Sequence, residues 1–123
     1  MPAVVSADEA NKVIRVILHG VMDMAVVKQS VEDASEYYTQ GYTKALIDVT
    51  EQELNPSTMD TYDLAISLLN KVPKLKQALF ISKDSTSETR FLETVLLNRG
   101  GMMRIFWSEE KAIEWLMDDA TLW

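Results

Sequence analysis

Along residues 12 to 20, KVIRVILHG, apolar and mixed positions alternate. Ile14, Val16 and Leu18 fall on one side of an extended chain, and Val13, Arg15, Ile17 and His19 on the other, which predicts a strand with one strongly apolar face. Ala3-Val4-Val5, followed by Ala7-Asp8-Glu9-Ala10-Asn11, predicts a short first strand and its turn, hence an N-terminal hairpin. The period then changes. Asp23 is placed to cap a helix whose apolar positions Met24, Val27, Val31, Ala34 and Tyr38 recur at spacings of three and four, ending near Gly41. KALIDV at 44–49 predicts the next strand. It leads through an acidic connector to a helix with Met59, Tyr62, Ala65, Ile66, Leu69 and Val72 on one face, stopping before Pro73.

The alternation continues to the end of the chain. Leu79-Phe80-Ile81 predicts a strand, and Ser85 with Glu88 forms a capping box for a helix bearing Phe91, Leu92, Val95 and Leu96, closed by Gly100-Gly101. Met103 to Trp107 predicts the last strand. Ser108 then caps a helix whose Glu109 and Glu110 suit its positive end and whose Ala112, Ile113 and Leu116 face inward. A hairpin followed by four β-α units implies an α/β fold with a mostly parallel, mixed sheet, since parallel neighbours need a covering helix between them. Residues 1–123 read as one domain, because every Pro and Gly sits at an element end and no linker or repeat interrupts the pattern.

Composition narrows the function classes. Twelve Lys and Arg against 19 Asp and Glu give a net charge of −7, which opposes nucleic acid as a partner. With no cysteine there is neither a disulfide nor a thiolate nucleophile, and the reducing cytoplasm is the expected location. No apolar run approaches the roughly 20 residues a membrane span needs. Four glycines at element ends leave no phosphate-cradling loop and no nucleophile elbow, and a single His19 makes no multi-histidine metal site. The acidic pairs, such as Glu109-Glu110, read as the wet faces of amphipathic helices. We therefore expect no enzyme, no metal and no cofactor. Trp107, Trp115 and Trp123 suit core or subunit packing. Met22, Met24, Met102 and Met103, adaptable side chains at strand-helix junctions, fill gaps or line a small apolar pocket.

Three phrases carry a resemblance. VIRVILHG with its following helix, ALIDVT leading to a helix-start Ser/Thr, and the terminal RIFWSEEKAIEWL resemble the STAS domain in its SpoIIAA-like branch, over roughly residues 12 to 117. The resemblance implies an N-terminal hairpin with four β-α units, a fold shared with lipid-carrying CRAL-TRIO domains, and a non-catalytic regulatory module that binds a protein partner. In anti-sigma-factor antagonists a serine at the start of the second helix is phosphorylated, and the position falls here on Ser57 or Thr58. The family pattern has Asp before the serine and Gly after the pair, whereas this chain reads Asn55-Pro56-Ser57-Thr58-Met59. An intact phospho-switch is therefore not expected.

Two readings of that stretch stay open. Asn55 and Pro56 suit the N-cap and first position of a helix, with the Asn side chain meeting the amide of Ser57 or Thr58. A phosphate on Ser57 would also be tolerated among the free amides there. The leading expectation is a partner surface around residues 53 to 63, including Asn55, Ser57 and Thr58. The alternative is a carrier or sensor of a small apolar, lipid-like molecule. Ala45, Ile47 and Val49 on one side of a strand, against Leu46 with Asp48 on the other, suggest a thinly covered sheet face. With the apolar tail Leu122-Trp123, that face predicts a homodimer.

Overall fold

Lys12 adopts φ 58°, in the left-handed region, and this turns β1 (Ala3–Asp8) back onto β2 (Val13–Val21) as an antiparallel hairpin. The computed structural model describes residues 3–53, 57–82 and 87–118. Asp8 closes the turn: its carboxylate accepts from the Asn11 side chain at 2.9 Å and from the Asn11 backbone at 3.3 Å. After the hairpin come α1 (Met24–Thr39), β3 (Lys44–Glu53), α2 (Thr58–Lys71), β4 (Lys76–Phe80), α3 (Ser87–Asn98), β5 (Met102–Phe106) and α4 (Glu109–Met117). The five described strands pair in chain order, β1 antiparallel to β2 and the others parallel.

Because each parallel strand is added on the same side of the last, the helices between them stack on one face of the sheet. The larger core lies under α1, α2 and α3, where Ile14, Val16 and Leu18 of β2 meet Val27 and Val31 of α1 and Ala65 and Leu68 of α2. Among the described residues α4 is the one helix on the opposite face. Its Ala112, Trp115 and Leu116 cover Val13, Leu46 and Ala78, one from each of three adjacent strands. Lys76 fastens this layer, donating from Nζ to the backbone oxygens of Trp115 at 2.6 Å and Asp118 at 3.1 Å.

Several local readings change in the structure. β3 does not end at Val49. Its acidic continuation stays extended because Glu51, Gln52 and Glu53 pair with His19, Gly20 and Val21, beyond a register irregularity between Ile17 and His19. The buried stripe of α2 is Thr61, Ala65 and Leu68 rather than the one through Met59 and Tyr62, which are exposed at 68% and 36%. Thr61 can turn inward because its hydroxyl donates to the Ser57 backbone oxygen, so no polar hydrogen is stranded. β4 starts at Lys76, three residues before the first of its predicted apolar run, so Gln77 is a strand residue. Gly100, at φ 84°, ends α3, and Gly101 folds in so closely that an added Cβ would lie 3.1 Å from the Leu96 backbone oxygen. Among the described residues no helix is long and apolar enough to cross a membrane.

Candidate functional site

Between the sheet and the α1–α3 layer lies a cavity of about 100 Å³. Its floor is set by strand alternation. Ala45, Gln77 and Met103 stand level on β3, β4 and β5, near the ends where these strands begin. Val16, Ile47 and Leu79 continue the floor, and the walls come from Val27, Val31 and Ala34 of α1, Leu64 and Leu68 of α2, and Leu92 of α3. At the other end, where the strands finish, half-buried Met22 and Gln52 border it. No titratable side chain lines it among the described residues.

Four of the five polar side chains at this cavity are almost fully buried: Ser30, Thr61, Gln77 and Thr89. Two of their hydroxyl protons are used locally. Ser30 Oγ donates to the Val27 oxygen at 2.6 Å and Thr61 Oγ1 to the Ser57 oxygen at 3.0 Å, each within its own helix. Gln77 differs, since its side-chain oxygen Oε1 is buried and meets no hydrogen-bond partner among the described residues. An unmatched buried carbonyl destabilises a fold by about 1–3 kcal/mol, so this amide is the polar feature of the cavity that packing does not explain.

The four methionines divide. Met22 and Met103 line the cavity, while Met24 and Met102 do not. Successive residues of a strand face opposite sides of the sheet, so with Met103 turned toward α1–α3, Met102 is directed to the α4 side. Met24 opens α1 just past Met22 and is half-buried outside the lining.

The start of α2 forms a second, separate feature. Asn55 and Pro56 lie outside the described residues, and the cap is Ser57, two residues later than the expected Asn55. Ser57 holds φ −76° and ψ 165°, and its Oγ accepts the Asp60 backbone N–H at 3.0 Å, with Thr58 the first helical residue. Ser57, Thr58 and Met59 are exposed together. The first turn also carries Asp60, whose charge favours the positive end of the helix. His19 is exposed on β2, and no group of three His, Asp or Glu among the described residues could hold a metal ion. Trp115 belongs to the core under α4, Trp107 is half in water, and Ser85, Leu122 and Trp123 lie outside the described residues.

Gln77, Thr61 and Ser30 were not candidates from the sequence. Only the alternation of β4, extended backward to Lys76, signals that Gln77 shares a face with Leu79.

Comparison with known proteins yields a fold. No protein-family model matches the chain, and neither does any curated protein. A solved structure is similar: that of an uncharacterized protein from the DUF3478 family with a SpoIIAA-like fold, from Shewanella loihica PV-4. It superposes with a TM-score of 0.58 over 93% of this chain and 91% of that one, at 16% sequence identity. The chain has the SpoIIAA-like fold, as the resemblance of its strand and helix phrases implied.

Proposed function

We propose that this protein is a non-catalytic module that holds one small, largely apolar molecule between its sheet and its three-helix layer. The observation that carries this reading is the cavity of about 100 Å³. Protein interiors are close-packed, and a water molecule needs only about 10–15 Å³ of such space. A cavity destabilises its host by about 24 cal/mol per Å³, which here is on the order of 2 kcal/mol, and a fitting apolar ligand would restore those contacts. The absence of titratable groups from the described lining supports binding rather than catalysis. Extraction of the protein, purified from its native source, into organic solvent should release a stoichiometric apolar compound. Ala34→Leu, which fills the cavity from α1, should abolish its uptake while leaving the circular dichroism spectrum unchanged. Finding no such compound in the native protein would overturn the reading.

A second reading, a partner surface at the start of α2, is favoured by Met59, a large apolar side chain 68% exposed beside Ser57. Thr61 on the same helix lines the cavity, so one rigid element touches both places and could report occupancy to a partner. A partner that binds Met59→Glu as well as it binds the unaltered protein would exclude this surface.

Self-association belongs to the same proposal. Val4 and Ile17 are cross-strand neighbours on the α4 side of the sheet, yet α4 packs mainly on β3, β4 and β5 and reaches β2 only near its start, at Val13 and Arg15. Sedimentation equilibrium should show twice the chain mass, and a constant 13.9 kDa up to high micromolar concentration would exclude the dimer.

A further inference from the structure

We infer that the cavity selects an uncharged ligand that combines an apolar body with a hydrogen-bond donor, an O–H or N–H group directed at the buried side-chain oxygen of Gln77. This deepens the proposed function and rests on it.

The chemistry follows from what the cavity offers. Ser30 Oγ and Thr61 Oγ1 have given their protons to backbone oxygens of their own helices, so both turn only lone pairs toward a ligand. Gln77 Oε1 is an acceptor without a partner among the described residues, in a side chain only 2% exposed. Apart from these three acceptors, the Gln77 amide nitrogen, Thr89 and Gln52, the lining is apolar, and the acceptor without a partner among the described residues, Gln77 Oε1, is the one that a ligand donor completes. A ligand that only accepts would leave Gln77 Oε1 unmatched. No Lys, Arg or His lines the cavity among the described residues, so a carboxylate or phosphate head group would lose its hydration with no cation to replace it.

The location of Gln77 adds an orientation. It stands level with Ala45 and Met103 where their strands begin, whereas Met22 and Gln52 border the cavity where the strands end. The donor therefore lies at the far end from Met22, and the apolar body occupies the space between. Sites built to bind a substrate hydroxyl or N–H reject analogues that lack it strongly, because the buried protein group is then left unpaired.

Isosteric ligands test this directly. Calorimetric titration would compare indole with indene and benzofuran, which keep the body but lack the donor. It would also compare octan-1-ol with methyl heptyl ether and octanoate. In the unaltered protein, indole and octan-1-ol should bind at least tenfold more tightly than their donor-free or anionic counterparts. In Gln77→Leu that preference should vanish, with indene and the ether now binding as well as the donors. Nuclear Overhauser contacts should place the indole N–H near the Gln77 side chain and the ring edge near Met22. If every compound binds with equal affinity to both proteins, Gln77 selects nothing and the inference fails, while the apolar cavity stands as a binding site. If octanoate binds best, the neutral-donor assignment is wrong. If none of the six compounds binds either protein, the cavity reading fails and this inference falls with it.

Discussion

Ser57 Oγ accepts the backbone N–H of Asp60 at 3.0 Å, so one of the two residues that the resemblance points to as a phosphorylation position, Ser57 rather than Thr58, is already the N-cap of α2. Ser57→Ala should lower stability by about 1 kcal/mol in urea titration, the usual loss when such a cap is removed. Ser57→Asp should stay within a few tenths of a kcal/mol of the unaltered protein, since aspartate caps as well and its charge suits the helix end. Equal destabilisation by both substitutions would show that the hydroxyl has a role other than capping.

Gln77→Leu removes a buried oxygen that has no partner among the described residues and replaces it with apolar atoms of similar volume. In ligand-free protein the midpoint of chemical unfolding should rise, by an amount equivalent to about 1–3 kcal/mol. Most core substitutions destabilise, so a gain here is a distinctive outcome. A loss of stability would mean that the amide is satisfied in solution.

The Asn11 side chain, followed by the Asn11 backbone amide, holds the Asp8 carboxyl below its ordinary value. The folded group is therefore the stronger acid. Its contribution is complete above the unfolded value of about 3.9 and is lost as pH falls through the folded one. Carbon-13 NMR titration should find Asp8 ionising at lower pH than an exposed aspartate, and Asn11→Ala, which removes the side-chain donor and keeps the backbone one, should raise it part of the way back. No change on that substitution would assign the shift elsewhere.

Gly101 is buried, with Leu69 Cδ2 and the Leu96 backbone oxygen each 3.1 Å from where a Cβ would stand. The leucine end can move, but the carbonyl cannot without shifting the end of α3. Gly101→Ala should cost about 1–3 kcal/mol in chemical denaturation, while Gly41→Asn, at an open left-handed position, should cost much less. Similar effects would show that the α3–β5 corner yields easily.

The parts of this molecule legible in one dimension are those governed by neighbours in sequence. Ser108 followed by two glutamates reads as a helix start, and Ser108 Oγ does accept the Lys111 amide. Alternation in VIRVILHG assigns the right residues to the two cores because strand parity is strict. The phase of α2 was less legible because Thr61 looks polar until its hydroxyl is seen bonded to Ser57. The same parity that made β2 readable separates Met102 from Met103, so pairing them by proximity in sequence named one lining residue and one outsider. Gln77 escaped notice for a different reason. A lone glutamine ahead of an apolar run is unremarkable until the sheet places it between Ala45 and Met103, beneath a space that only three packed helices can enclose.

Strands that pair in the order they are made have a bearing on how the chain is born. Each β-α unit leaving the ribosome finds the edge of the preceding strand already available, so the three-helix face can grow step by step with few long-range searches. The other face cannot. Val13, Leu46 and Ala78 await α4, which is synthesised after all five described strands. A nascent chain stalled at residue 108 should therefore carry one finished side and one wetted apolar strip, and that intermediate is the one for which a chaperone would compete.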